Sequence, residues 1–432
     1  MNILIYLLIL SFSYDLPLIP LYSKWATVKA SDIIGILFIF TWLITFVFRP
    51  EKIKISLSKQ LWWYLIICVV TSIPTIIFMN SINEGVIALE YSGYWILKLF
   101  EYILFYFAIY KFSNDRINAY RYLTVFWVGG IGVSMYGLLQ KYERAPQLWG
   151  ADVLTPHAIT STMSFHHGHL GAYMLILFFL TMGLYVKTQN KVHKVIFGLS
   201  LILFLYIELL TLRRSTWVGM GIGFFLWVIL MQGKLNRKMK SYIIGVLVVI
   251  SGVVSMMYSE QMFERISVFS YFTDRSTHSD IVITSSIDAR FSVAKYFIDI
   301  FKENPLRLLW GYGFMSAPMR YEYTGAHNQF LDVLHDSGII GLIIFLWLVY
   351  SILKILWKHS RLSDEWQPIY YSMFFGTVSL IVSGLTGGFF TISHTFGSFV
   401  GFYLSLLSVI CASTYQLNNK LEINKDILTA QY

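Results

Sequence analysis

The chain has 432 residues, of which 56% are hydrophobic and only 13% are charged. Soluble domains carry about 25% charged residues, so this composition excludes a soluble globular protein and predicts an integral membrane protein. The two cysteines, Cys68 and Cys411, lie in apolar runs, which argues against a disulfide framework.

Apolar stretches along the chain are long enough to cross a membrane many times. A helix needs roughly 20 residues to cross a hydrocarbon core of about 30 Å. We therefore predict an all-α integral membrane protein, a single polytopic domain over residues 1–432 with about 12 transmembrane helices. The first stretch lacks a basic leader and a small-residue cleavage site, so we expect a helix there and not a signal peptide. The predicted spans are 2–20, 31–48, 61–79, 86–110, 120–140, 169–186, 195–212, 215–232, 241–258, 330–356, 368–387 and 392–413.

The net charge of +9 follows from how the basic residues are distributed between connections. Lysines and arginines concentrate in alternate connections, as at 49–59, 187–194 and 234–240. Cytoplasmic connections carry such an excess, so both termini are predicted to be cytoplasmic. Because topology explains the charge, no nucleic-acid partner is expected.

A long connection at about 259–329 separates the ninth and tenth predicted spans and falls on the outer face. Within it, "SSIDARFSVAKYFIDIFKENP" has apolar residues at helical spacing, with Ser285 and Asp288 as a capping pair and Asn304-Pro305 as its end. We predict an amphipathic helix lying on the outer membrane boundary and covering a cavity.

Arginines stand at two places on this outer side. Arg213 and Arg214 lie in "LTLRRSTWVG", at a short turn between two spans. They either extend to the interface or form an anion clamp, because a guanidinium matches phosphate oxygens. Arg290 lies near the first turn of the loop helix, where an arginine beside a helix N-terminus suits a phosphate; a plain surface arginine is the alternative.

Histidines also gather on the outer side. His166, His167 and His169 precede or begin a span, and they contact either the interface, a substrate or a metal. No Cys, Asp or Glu lies among them, so no metal site is expected. His327 precedes another span; an imidazole can take a proton near pH 7, which makes it a candidate base. An interfacial collar is the alternative for His327 and for the polar residues that follow it.

Four charged residues are predicted within the spans, where they are costly in lipid and must face protein or water. Lys98 and Glu101 are three residues apart on one helix, so we expect them to pair. Structural neutralisation is the favoured interpretation for the set: Glu90, Lys98, Glu101 and Glu208.

Three of these stretches, in this order, resemble a known family. "TLRRSTWVG", "DARFSVAKYFIDIFKENPLRLLWGYGF" and "HNQFLDVLHDSGIIGLIIFLWLV" are similar to motifs of the O-antigen ligase and polymerase superfamily. The resemblance is strongest over 205–357, and "YGLLQKY" and "HHGHLGAYML" are compatible with it. It implies a membrane glycosyltransferase of the GT-C type in the cell envelope, as in lipopolysaccharide biosynthesis, whose donor is a glycan on a polyprenyl diphosphate such as undecaprenyl diphosphate.

The resemblance also implies roles for particular residues. Arg214 matches the family arginine, Arg213 stands where a serine usually precedes it, and Arg290 matches the loop arginine. These arginines would bind the donor diphosphate. His327 matches the histidine of the HNxxL motif and would activate the acceptor hydroxyl, with Asn328, His166, His167 and His169 as candidate substrate contacts.

The implied reaction is metal-independent transfer with inversion, without a cofactor, to a glycan or glycolipid acceptor at the outer face of the cytoplasmic membrane. Acceptor identity would decide between a ligase and a polysaccharide polymerase. A transporter or flippase of lipid-linked oligosaccharides is the rival from another class. It predicts functional residues near the membrane midplane and related halves, whereas these candidates cluster at the outer face.

Overall fold

The computed structural model describes the chain over most of its predicted spans. The described residues are 1–14, 17–20, 27–48, 55–81, 85–113, 115–146, 158–162, 167–230, 298–314, 328–362, 364–385 and 399–414, with the single positions 245, 252 and 295. His327, Arg290 and His166 lie outside them, as do the cap at Ser285 and all of the predicted span 241–258 except positions 245 and 252. The backbone of His167 is described, but its side chain is not.

Helices dominate the described residues, and one short pair of strands accompanies them. In chain order they are α1 (Asn2–Ser13), β1 (Pro17–Pro20), β2 (Thr27–Lys29), α2 (Ala30–Phe48), α3 (Ser58–Ser81), α4 (Gly85–Phe112), α5 (Arg116–Tyr142), α6 (His167–Lys187), α7 (Lys191–Leu210), α8 (Arg214–Leu230), α9 (Pro305–Trp310), α10 (Gln329–Ser360), α11 (Gln367–Gly384) and α12 (Phe399–Thr414).

Six of the predicted spans are confirmed as helices long and apolar enough to cross a membrane. They are Ala30–Phe48, Ser58–Ile77, Arg116–Tyr142, Gly168–Lys187, Lys191–Leu210 and Gln329–Ser360. The predicted spans at 86–110, 215–232, 368–387 and 392–413 also coincide with helices, which are shorter or less apolar. The chain is therefore a multi-pass membrane protein, while the total of twelve stays a prediction.

The first predicted span, 2–20, is shorter than expected. Helix α1 ends at Ser13, and Pro17–Pro20 forms a strand paired antiparallel with Thr27–Lys29. A proline disfavours helical backbone in the residue before it, so Pro17 prevents α1 from continuing. The sequence pattern of apolar residues did not reveal this, because Leu16, Leu18 and Ile19 keep the stretch apolar through the break.

The bundle is organised around α6, which is buried along nearly its whole length. Helix α11 packs against α6, α8 and α10. Its contact with α8 is close because small residues face each other: a Cβ on Gly219 would lie 2.4 Å from the carbonyl oxygen of Ser379, and a Cβ on Gly223 would lie 2.9 Å from that of Phe375. Small residues allow such approach between membrane helices, so α8 and α11 hold each other in a fixed register.

The expected pairing of Lys98 with Glu101 is confirmed, at 2.9 Å between Nζ and Oε2. A second carboxylate, that of Asp32 at the start of α2, also contacts Lys98, and its Oδ2 accepts the backbone N–H of Lys29 at 2.9 Å. All three side chains of the group are mostly buried. The group therefore ties α2 to α4, which supports the structural interpretation of these two predicted charges.

Candidate active site at the arginine end of the bundle

The ends of α5, α7 and α11 and the starts of α6, α8 and α10 meet at one end of the bundle. We call it the arginine end, because Arg213 and Arg214 lie there. Contacts between these termini define it: Gly171 near the start of α6 faces the side chains of Glu208 and Thr216, and the N–H of Ile159 donates to the carbonyl of Leu210 at 3.4 Å.

The turn between α7 and α8 is tight and internally bonded. Leu212 adopts φ 55°, a left-handed conformation that is uncommon for a residue other than glycine and that reverses the chain in a short distance. The carbonyl of Glu208 accepts hydrogen bonds from the Thr211 hydroxyl at 2.6 Å and from the Trp217 indole N–H at 3.0 Å. Both ends of the turn are thereby fixed to the last turn of α7.

Arg213 and Arg214 occupy different environments in this turn. Arg213 is half-buried; its Nε donates to the Ser215 hydroxyl at 3.1 Å, and its carbonyl accepts the Thr216 hydroxyl at 2.9 Å. Arg214 is exposed and is the first residue of α8. The N-terminus of a helix carries partial positive charge and backbone N–H groups that favour anions. An exposed guanidinium at that position therefore makes this turn suited to phosphate oxygens.

Asn328 caps the start of α10, and both the oxygen and the nitrogen of its side-chain amide form hydrogen bonds. Its Oδ1 accepts the backbone N–H groups of Phe330 at 3.0 Å and Leu331 at 3.2 Å, which caps the helix. Its Nδ2 donates to the carbonyl of Leu385, at the end of α11, at 2.9 Å. The residue predicted as a substrate contact thus fixes the start of the helix that follows His327.

The end of α11 joins the arginine turn to the start of α10. The Ser383 hydroxyl donates to the carbonyl of Ser215 at 2.9 Å. The next residue, Gly384, lies against Gln329, whose Oε1 would be 3.3 Å from a Cβ at that position. Residues 383–385 therefore contact both motifs, although the motifs are far apart in sequence and each lies on a different helix.

The histidine run is only partly described. His169 is buried in the first turn of α6. Two residues on, Gly171 gives room to the Thr216 hydroxyl, which would lie 3.0 Å from a Cβ there. Among the residues that the structure describes, no group of three or more His, Cys, Asp and Glu side chains has a metal-site arrangement.

Glu208 is the unexpected member of this end. Its side chain is fully buried, and within the described part of the chain neither carboxylate oxygen makes a hydrogen bond of normal geometry. The charge of Arg213 acts on this carboxylate, and the Thr216 hydroxyl is a near neighbour. Neutralisation was the expectation for Glu208, and the positive charge of Arg213 acts in that direction.

One known family is similar to part of the chain, from α7 to the first half of α10. Residues 199–346 match the family model described as O-antigen ligase. The match covers about a third of the chain and includes α8, the loop end at 298–314 and the start of α10. No curated protein matched the chain. The resemblance noted from the three motifs is confirmed as a similarity: over residues 199–346 the chain matches the O-antigen ligase family model.

Proposed function

We propose that the protein transfers a glycan from a polyprenyl diphosphate to a hydroxyl acceptor, with the arginine end as the active site. The match of residues 199–346 to the O-antigen ligase family model supports glycosyl transfer of this kind. We assign diphosphate binding to Arg213 and Arg214, together with Arg290 of the loop, and the role of general base to His327.

One observation carries the proposal: residues 383–385 hold the arginine turn and the start of α10 together. Ser383 bonds to the residue after Arg214, and Leu385 bonds to the residue after His327. A donor whose diphosphate lies on the arginine turn would consequently have its sugar near the start of α10. For transfer with inversion, the anion site that holds the diphosphate and the base that activates the acceptor must lie on opposite sides of the anomeric carbon.

The chemistry assigned to these residues balances in one step. The acceptor hydroxyl oxygen attacks the anomeric carbon while its proton passes to the imidazole of His327. The bond from that carbon to the diphosphate oxygen breaks, and the electron pair leaves with the diphosphate. Fixed cations stabilise the charge that develops on a leaving group, which is the role of the arginines. Attack opposite the leaving group inverts the anomeric configuration.

We place this end of the bundle at the outer face of the cytoplasmic membrane, because basic residues concentrate on the alternate connections. Both termini would then be cytoplasmic. The acceptor is a core glycolipid if the enzyme is a ligase and another lipid-linked glycan if it is a polymerase.

The test uses purified protein in vesicles, with a polyprenyl-diphosphate-linked glycan and a hydroxyl acceptor both supplied outside. We expect a longer or newly attached glycan together with released polyprenyl diphosphate. A lipid-linked glycan crossing the bilayer without any new glycosidic bond would instead identify a flippase and overturn the proposal. Product from a core glycolipid, or from a second lipid-linked glycan, separates the ligase from the polymerase.

A further inference from the structure

A short irregular segment, Gly311–Phe314, lies among three helices, and we call it the docking segment. Tyr312, Gly313 and Phe314 are not helical, yet Tyr312 and Phe314 are buried. Non-helical backbone is tolerated among membrane helices only where its polar groups find partners within the protein. The partners of this segment show what it does.

Its first partners are two carbonyls of α10. The N–H of Tyr312 donates to the carbonyl of His335 at 2.7 Å, and the N–H of Gly313 donates to that of Asp336 at 2.9 Å. In an uninterrupted helix these carbonyls would accept the N–H groups four residues later. The N–H groups of the docking segment therefore replace the helical N–H groups that would otherwise bond to these two carbonyls.

Helix α10 does not form these two internal hydrogen bonds because its backbone is broken at Gly338. This residue has φ 65° and ψ −169°, a conformation open to glycine. A Cβ there would lie 2.2 Å from the carbonyl oxygen of Leu309, in α9. Residues 329–337 are thus a separate helical piece, which we call the α10 head, and the helical hydrogen-bond ladder does not fix its direction relative to 339–360.

The side chain of Tyr312 contacts both the α10 head and the end of the long connection. Its ring stacks on the imidazole of His335, with centroids 5.1 Å apart and planes 13° from parallel. Its hydroxyl donates to the carbonyl of Ile300 at 3.1 Å. The guanidinium of Arg307 lies 5.4 Å from the ring centroid. One side chain thus joins the α10 head to the end of the long connection.

Hydroxyl side chains of α3 and α4 fix the segment to the rest of the bundle. The Thr75 hydroxyl donates to the carbonyl of Tyr312. The N–H of Phe314 donates to the Ser72 hydroxyl, and the Ser92 hydroxyl donates to the carbonyl of Phe314, both at 3.0 Å. Because α3 and α4 are packed spans, they provide a rigid reference for the segment.

We propose that Tyr312 is a positioning residue that sets the direction of the α10 head, and with it the position of His327, which precedes the cap of that head. The assignment rests on the proposed function of His327, because only then does the direction of the head affect transfer. Tyr312 lies in the docking segment, between the α10 head and helices α3 and α4, whereas the arginine turn joins α7 to α8. Its loss should therefore spare donor binding at Arg213 and Arg214.

The experiment compares Tyr312→Ala and Tyr312→Phe with wild type in amide hydrogen exchange and transfer kinetics. Tyr370→Phe is the matched control, since it removes a buried tyrosine hydroxyl bond, to Ser413 at 2.8 Å, elsewhere in the bundle. We expect Tyr312→Ala to speed exchange in 329–337 and to lower kcat by about tenfold or more, because small misplacements of reacting groups are costly. The KM for the donor should stay within about threefold, since the arginines do not move.

Tyr312→Phe retains the stacking and both backbone bonds, so exchange and kcat should change less than in Tyr312→Ala and in the same direction. The assignment is overturned if exchange in 329–337 is unchanged in Tyr312→Ala, or if it rises while kcat stays at the wild-type value. Failure of the proposed function looks different: Arg214→Gln would then leave transfer unaffected, while the exchange data would still report whether Tyr312 holds the α10 head.

Discussion

The two ends of the bundle use their charges differently. At the end opposite to the arginine end, Arg116 forms a bidentate salt bridge with Asp364. Its Nη1 and Nη2 donate to the two carboxylate oxygens at 2.9 and 2.8 Å, and the Nζ of Lys187 lies 3.7 Å from Oε1 of Glu365. These ion pairs join the start of α5, the end of α6 and the turn between α10 and α11. At the arginine end, Arg213 donates to a hydroxyl, Arg214 is exposed, and the Glu208 carboxylate is fully buried next to the Thr216 hydroxyl.

This difference suggests that the ion-paired end serves stability and the arginine end serves function. Cations matched to carboxylates hold helices together, and their geometry is complete without a ligand. An exposed arginine at a helix N-terminus can be reached by an anion from outside, and the helix end favours that anion. If the proposal is right, substitutions at the arginine end should change transfer, and substitutions at the opposite end should change stability.

The largest effect is expected from His327→Ala. A general base contributes typically 10²–10⁴-fold, so kcat should fall by about a thousandfold with thermal stability unchanged. His193→Ala is the matched control, because His193 is exposed at the opposite end of the bundle. Equal kcat values for the two variants, measured on purified protein, would contradict the role given to His327.

Arg214→Gln should have the next largest effect. Removing an exposed guanidinium from the start of α8 should lower kcat/KM by about a hundredfold, because the leaving diphosphate loses a charged hydrogen bond. Arg214→Lys should retain part of the activity, because the lysine ammonium keeps the positive charge but lacks the bidentate geometry of the guanidinium. Arg121→Gln removes an exposed arginine near the start of α5 and should leave kcat/KM unchanged. A lower kcat/KM in Arg121→Gln, with Arg214→Gln unchanged, would contradict the assignment of diphosphate binding to the arginine end.

Gly338→Ala tests the break in α10. A side chain in this conformation costs about 1–3 kcal/mol, and its Cβ would collide with the carbonyl of Leu309. We expect a lower midpoint of thermal unfolding and about a tenfold fall in kcat. Gly221→Ala, whose Cβ would meet nothing within 4 Å, should be neutral or slightly stabilising. A Gly338→Ala protein as stable and active as wild type would show that the break is not needed.

The smallest effect on transfer is expected from Arg116→Gln, at the opposite end. It leaves the mostly buried carboxylate of Asp364 without its two charged bonds, which should lower the free energy of unfolding by about 1.5–3 kcal/mol. Glu365→Gln, whose side chain is 62% exposed and only 3.7–3.8 Å from its partners, should change stability by less than about 1 kcal/mol. The kcat of the folded Arg116→Gln enzyme should equal that of wild type, and a loss of kcat would show that the two ends are coupled.

Much of the helical architecture was predictable because apolar length and helical spacing are local properties of the sequence. The pairing of Lys98 with Glu101 was predictable for the same reason. The contribution of Asp32 was not, since it comes from a different helix. The break at Gly338 was not predicted either, and only the approach of Leu309 from a distant segment shows why the helix stops there.

The candidate site shows the same division. Arg213, Arg214 and Asn328 were found from their motifs, but the capping role of Asn328 and its bond to Leu385 depend on tertiary contacts. Ser383 and Thr216 gave no sequence signal, because small hydroxyl residues in apolar helices usually serve packing. Their part in joining two motifs follows only from the packing of α11 against α8 and α10.

The most direct measurement of the central claim is photolabelling by a donor analogue that carries a reactive group beside its diphosphate. Labelled peptides from purified protein in vesicles, with and without excess unmodified donor, would locate the diphosphate. We predict competed labelling in peptides covering 211–217 and 328–331, at the arginine end. Competed labelling in peptides covering 116–121 or 361–367, at the ion-paired end, would contradict it.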